Sequence, residues 1–383
     1  MKPDTRNLAP AFRPTLLGMR RRGWWLALTL AVCGVAQAQW EMESSGTTAD
    51  LRGIENVGGG VAWASGTNGT VLRTEDGGYL WQACAVPPGA EHLDFRGVQA
   101  FDANTAIVMS SGKGDLSRLY KTTDGCQTWK LVFTNPDADG FWDAVQFKRP
   151  TDYPNGETSG MILGDPVGRS FVIENSVDGG ATWKRLALPP GLPDEGVFAA
   201  SNSALFTDWE DGIELFGTGG PNGSRIFTSC DPCTTRPFDD GSWNVQPMPI
   251  FGRGASVGIF SIAAKLIGPN VNYVAVGGDY TKPDEIGMAA YSEKWLRWNP
   301  AKTPPHGYRS AVAYDAASKT WITVGPNGTD ISTDDGKNWR TLRPDPTMHE
   351  APDADRNWNA LSLPFVVGPH GRIGKLNAQA LTH

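Results

Sequence analysis

What this sequence lacks excludes most fold classes before any motif is considered. Across 383 residues no long stretch carries apolar residues at the i, i+3, i+4 spacing of an amphipathic helix, which leaves an all-β architecture. Beyond residue 38 no apolar run is long enough to cross a bilayer, which takes about 20 residues. The glycine triplet Gly58 to Gly60 precedes no helix that could hold a dinucleotide. Histidine and cysteine are scarce, at five each. Glycine and proline, by contrast, number 46 and 28 and punctuate the whole length. With 40% hydrophobic residues the core is too large for one small barrel, so the chain needs several domains or one repeated unit.

Residues 1–38 read as a signal peptide: Arg20, Arg21 and Arg22 form a basic start, Trp24 to Val32 an apolar centre, and Ala36-Gln37-Ala38 a cleavage site before Gln39. The expected single domain is then 39–383. Nothing ahead of Met19 is needed by a signal, so Met19 is the expected true start. Lipid attachment at Cys33 competes with this reading, but Val32 stands where a small residue is preferred. Removing residues 1–38 takes away six basic residues and one acidic one, leaving 28 against 40 and a formal charge of −12. Such a surface repels nucleic acid and anionic lipid, so an anion site has to be a local concentration of arginine. Cys84, Cys126, Cys230 and Cys233 remain, an even number that suits a periplasmic or secreted protein; the expected pairs are Cys84 with Cys126 and Cys230 with Cys233. Zinc at C-x-x-C is the alternative for the second pair, but a second such motif is missing. No metal and no cofactor is expected.

Four segments share one pattern: TEDGGYLW ending at Trp81, TTDGCQTW at Trp129, SVDGGATW at Trp183 and STDDGKNW at Trp339. The aspartates, Asp76, Asp124, Asp178 and Asp334, suit a hairpin turn in which the carboxylate accepts backbone N–H bonds. Glycine takes the positive φ, and tryptophan begins the returning strand between two sheets. This is an Asp box, a structural element rather than a catalytic one. TSCDPCTTRPFDDGSW, ending at Trp243, and YSEKWLRW, ending at Trp298, read as degraded versions. Ahead of each box lies a first strand such as LRGI, FRGV or WDAV. A second follows, ending in glycines: VAWASGTNG, AIVMSSGKG, GMILGDPVG, IELFGTGGPNG, YVAVGGDY, WITVGPNG and FVVGPHG.

Seven such units make a seven-bladed β-propeller, with six blades the alternative if the fourth and fifth units are misread. The last unit, NWNALSLPFVVGPHGRIGKLN, lacks a fourth strand, and Trp40-Glu41-Met42-Glu43 at the chain start supplies it, closing the ring and removing the open edge. The 345 residues of 39–383 give about 49 per blade, near the usual ~40–50.

With its boxes and closure, the chain resembles the Asp-box (BNR-repeat) propellers of the photosystem II stability/assembly factor family and, more loosely, sialidases. The resemblance implies an exported, non-enzymatic scaffold that assembles or stabilises a membrane or exported protein, here as a monomer and without the photosystem itself. The alternatives are a glycan-directed hydrolase and a carbohydrate-binding propeller.

A functional funnel should be built from first-strand starts and the loops joining second to third strands, opposite the Asp boxes. Aligning on LRGI places Arg52, Arg96, Asp143, Phe198, Phe260, Arg309 and Asn359 around one ring, with three arginines on one side. They call either for internal carboxylates, Asp94, Asp143 and Asp165, or for an anionic partner. The same face adds Asp279, Tyr280, Lys282, Asp284, His306 and Tyr308. Asp165 with Asp279 is the candidate pair for general acid and base on a glycosidic bond, against the simpler reading that glycine-flanked aspartates form turns. Phe141, Trp142, Tyr308 and Trp358 either stack on a ligand or pack between blades. Tyr280 and Glu285 lie close as a sialidase pair would, but the arginine-isoleucine-proline segment is missing.

Overall fold

The computed structural model describes residues 39–148, 158–186, 189–209, 212–231, 236–237, 242–267, 270–293, 296–348, 350–377 and 381. The expected signal peptide and Cys233 lie outside the described residues, and so does the Cys230–Cys233 pairing.

Seven antiparallel sheets form the blades of a propeller. Their innermost strands are Leu51–Gly58, Phe95–Ala100, Trp142–Phe147, Leu205–Asp208, Gly254–Ile267, Ala311–Asp315 and Ala360–Ser362, in blades 1 to 7. Each touches the next around a closed ring, and Ala360–Ser362 touches Leu51–Gly58. The six-blade alternative falls. The insertion in TSCDPCTTRPFDDGSW forms a small ladder of Cys230–Asp231 with Arg236–Pro237 and leaves the blade count intact.

The turns carry the expected geometry. Asp124 accepts the Thr128 N–H (3.0 Å) and hydroxyl (2.6 Å), and Asp178 does the same with Thr182 (2.9 and 2.6 Å). Those bonds hold both carboxyls down at about 2. Asp334 bonds Asn338 in the same way, whereas in the first turn Leu80 offers Asp76 only its backbone N–H (3.0 Å). The tryptophans then enter the interblade layers: Trp81 meets Phe365 of blade 7 edge-on at 5.5 Å, and Trp129 meets Trp63 of blade 1 at 6.5 Å.

Trp40–Glu43 pairs antiparallel with Ile373–Leu376 as the outer strand of blade 7, in register Trp40 to Leu376 and Glu43 to Ile373. Two side-chain bonds at the outer strands help fasten this blade to blade 1: Trp81 Nε1 donates to Glu43 (2.7 Å), and Lys375 Nζ donates to the Gly77 carbonyl (2.6 Å). Burial lifts the Glu43 carboxyl to about 7 despite the Trp81 bond and Lys375. Between the unfolded value near 4.5 and this folded value the native state binds more protons than the unfolded chain, so stability falls as pH rises through that window. Glu43→Gln, which keeps an acceptor for Trp81, should flatten the loss between pH 5 and 8 seen in urea unfolding of the wild type.

A disulfide joins Cys84, after the outer strand of blade 1, to Cys126 in the turn of blade 2, 42 residues away. It staples two neighbouring blades, so the double variant Cys84→Ser/Cys126→Ser should lose about 2–4 kcal/mol in chemical denaturation.

Candidate functional site

The channel mouth is built by one local device, repeated. The inner strand carries a bulge at its start in blades 1, 2 and 3 and midway along it in blade 5, the extra residues being Arg52, Arg96, Asp143 and Phe260. A bulge re-aims a side chain out of the sheet alternation, here toward the axis. In blades 1, 3, 5, 6 and 7 a glycine at or near the end of the second strand makes room for the incoming chain. A Cβ at Gly66, Gly164, Gly277, Gly325 or Gly368 would collide with the carbonyl oxygen of Asp50, Phe141, Gly258, Tyr308 or Asn357.

The bulge residues open into a hollow of about 550 Å³, to which Asp165, Phe198, Tyr280, Tyr308, Ser310 and Asn359 also contribute. One side is charged. Arg52 and Arg96, each about one-third exposed, share Asp94, with Nε at 3.3 Å from Oδ1 and 2.8 Å from Oδ2. Next to Arg96 stand two carboxyls. Asp143 is 1% exposed, and burial first, then the charge of Asp165, push it well above the usual range while Arg96 pulls it down. Burial lifts Asp165 to about 6, even though it accepts the Val197 N–H at 2.9 Å. The other side is aromatic. Phe198 and Phe260 stack at 4.1 Å, Tyr280 stands edge-on to both at 6.2 and 6.1 Å, and Tyr308 meets Phe260 at 4.7 Å. Tyr280 is 51% exposed; Tyr308 is buried, which raises its hydroxyl pKa. A second hollow of about 700 Å³ shares Phe141, Asp165, Val197 and Phe198 with the first, so the two adjoin as one trough along the loops of blades 3 and 4.

The sequence alignment of the ring needs two corrections. Val324 pairs with Ala311, so Ser310 holds the bulge position in blade 6 and Arg309 lies one residue back. A one-residue shift reverses a side chain. Arg309 is therefore 0% exposed, inside blade 6, where its Nε donates to Asp330 (2.9 Å) and its Nη1 to Asn327 (2.6 Å). In blade 4 the inner strand is Leu205–Asp208, and Phe198 reaches the mouth from the loop before it.

The other named residues fall as follows. Asp165 comes together with Asp143 rather than with Asp279, which does not line the mouth and instead bonds the Thr281 N–H (3.0 Å) and hydroxyl (2.7 Å). Lys282 pairs with Glu285 at 3.2 Å on the exposed loop. His306 is bound into the Arg309 cluster, 2.9 Å from Asp330. Trp142 and Trp358 are fully buried between blades. Asn359 donates to the Leu51 carbonyl at 2.8 Å and lines the mouth. The Phe198–Phe260–Tyr280 cluster was not foreseen as a unit, because the three side chains come from three separate chain segments.

This is the fold of the YCF48 and GH74 propellers. The structure titled YCF48 bound to D1 peptide aligns with a TM-score of 0.59 at 16% identity, covering 88% of this chain and 96% of that one. YCF48 from Cyanidioschyzon merolae gives 0.58 at 19%, over 89% and 100%. The GH74 xyloglucanase from Xanthomonas campestris gives 0.52 at 18%, over 89% of this chain and 54% of the enzyme. In sequence the chain is 26% identical over 291 residues to a xyloglucanase from Paenibacillus, 67% of this chain and 26% of that enzyme. It is 30% identical over 169 residues to xyloglucanase Xgh74A of Acetivibrio thermocellus, 37% of this chain and 19% of that enzyme. The chain thus matches about a quarter or less of these curated relatives. No protein-family model matches the sequence.

The register assignment has a measurable consequence. Arg309→Met removes the guanidinium partner of Asp330 in the core, leaving it His306, and should cost about 3–5 kcal/mol in urea unfolding. Arg52→Met, at the open mouth, should cost less than about 1 kcal/mol.

Proposed function

We propose that the protein is exported, loses residues 1–38, and acts in the envelope or outside the cell as a monomeric, non-enzymatic scaffold that holds a segment of a membrane or exported protein at its channel mouth. The observation that carries this reading is the shape and lining of the mouth. A hollow of about 550 Å³ with a charged and an aromatic wall continues into a trough of about 700 Å³. That form suits an extended chain more than a compact metabolite, and a partly exposed aromatic such as Tyr280 is the kind of anchor that interfaces use. The peptide named in the YCF48 structure supports the same use of the fold.

A second reading is hydrolysis or binding of a glycan, supported by the sequence matches to two xyloglucanases and by the raised carboxyls Asp143 and Asp165 at the mouth. Both readings are tested together. Tagged protein and the variant Arg52→Ala/Arg96→Ala/Tyr280→Ala are used to capture partners from the native envelope extract, and the wild type is incubated with xyloglucan and other β-glucans. The scaffold reading expects one exported or membrane protein retained by the wild type and lost by the folded variant, with no new reducing ends. Sugar release abolished by Asp165→Asn, with no protein retained, would overturn it in favour of the hydrolase.

A further inference from the structure

The charge at the mouth does not favour an anion. Arg52 and Arg96 already share Asp94. An anionic ligand would have to compete with that carboxylate and bring a further negative group beside Asp143 and Asp165. Arg52 Nε and Asp94 Oδ1 make no hydrogen bond but face each other as an ion pair at 3.3 Å, so the acceptor left over is on Asp143. Asp143 Oδ2 is buried with no hydrogen-bond partner. A buried acceptor left open in this way is costly unless a ligand donor fills it. Asp165 is joined to the aromatic wall through the chain itself, since the amide it accepts belongs to Val197, the residue before Phe198. Carboxylates beside aromatic faces form a setting that attracts a cation twice, by charge and by the ring quadrupole.

We propose that the mouth takes the side chain of a lysine or arginine from a partner segment, its cationic head at Asp143 and Asp165 and its stem against Phe198, Phe260 and Tyr280. This rests on the reading of the mouth as a protein-docking surface. The remainder of the partner segment follows the trough, whose charged lining is Asp139, Asp165, Arg169, Asp194 and Glu195, with Asp139 paired to Lys113 and Glu195 to Arg225, so that Asp165 and Asp194 stand against Arg169. The formal charge of −12 for residues 39–383 draws a basic segment toward the protein from a distance.

The groups that face the acid pair set how binding should vary with pH. Arg52 comes from blade 1, and Arg96 with Asp94 from blade 2; Tyr280 and Tyr308 come from blades 5 and 6. Ser310, Asn359 and the Val197–Ala200 segment carry no charge. Burial raises the carboxyls of Asp143 and Asp165, so acidification removes the negative charge a cation needs while the guanidinium groups stay charged.

The test is calorimetric titration of the purified protein at pH 7.5 with end-blocked pentapeptides Gly-Gly-X-Gly-Gly, where X is lysine, arginine, norleucine or glutamate. The lysine and arginine peptides should bind at least about tenfold more tightly than the other two, a gain of the size expected for a charge-assisted contact. Asp143→Asn and Asp165→Asn should each lower that affinity about tenfold, and Asp279→Asn should leave it unchanged. Lowering the pH from 7.5 to 5 should weaken the wild type about tenfold as Asp165 protonates. Thermal melts check that each variant is folded, and if Asp143→Asn is not, Asp165→Asn and the pH series carry the test. A preference for the glutamate peptide overturns the proposal while leaving the mouth as a docking surface that uses its arginines. Equal affinities, no binding of any peptide, or indifference to both folded aspartate variants also overturn it. Partner capture that depends on the mouth then stands or falls on its own experiment.

Discussion

The structure depends on closing the ring. Seven sheets laid side by side would leave the first and last exposed, and an exposed sheet edge is both unstable and prone to pair with other chains. Here the edge is removed by pairing the outer strand of blade 7 from the far end of the chain, Trp40–Glu43 on Ile373–Leu376. The closure is fastened sideways to blade 1 through Glu43 and Trp81 and through Lys375 and Gly77. Because blades 1 and 7 are held together in this way, Arg52 and Asn359 stand beside each other at the same mouth. The disulfide between blades 1 and 2 extends the same constraint one blade further.

Once the ring is fixed, the mouth follows from a repeated backbone irregularity. In four blades a bulge of the inner strand turns one residue toward the axis, and in blades 1, 3 and 5 the facing glycine lets the chain pass closely enough to form it. The identity of that residue changes from blade to blade, which is how one symmetric scaffold comes to have an unsymmetric site. Blades 1 to 3 contribute Arg52, Arg96 and Asp143. Blade 5 and the loop before the inner strand of blade 4 contribute Phe260 and Phe198. The result is a mouth with an ion-paired wall and an aromatic wall, two chemistries that a polypeptide segment can satisfy at once.

The sequence by itself determined the blades. The Asp turns are local, each made within a few residues by a carboxylate and the N–H groups just after it, so their spacing exposes them without any tertiary information. The missing fourth strand of blade 7, and its replacement by Trp40–Glu43, are also legible, because the deficit at one end matches the surplus at the other. The pairing of Cys84 with Cys126, expected from the even cysteine count, is formed. What only the tertiary structure decided is which way individual side chains point and which segments meet. Whether Arg309 or Ser310 holds the bulge position depends on the pairing of Ala311 with Val324, and a slip of one residue separates a channel arginine from a core arginine. The partnership of Asp165 with Asp143, rather than with Asp279, depends on the relative placement of strands and loops around the ring. Local sequence records the turn and the strand, because those are made by neighbours along the chain; it does not record the meeting of residues that are neighbours only across the channel.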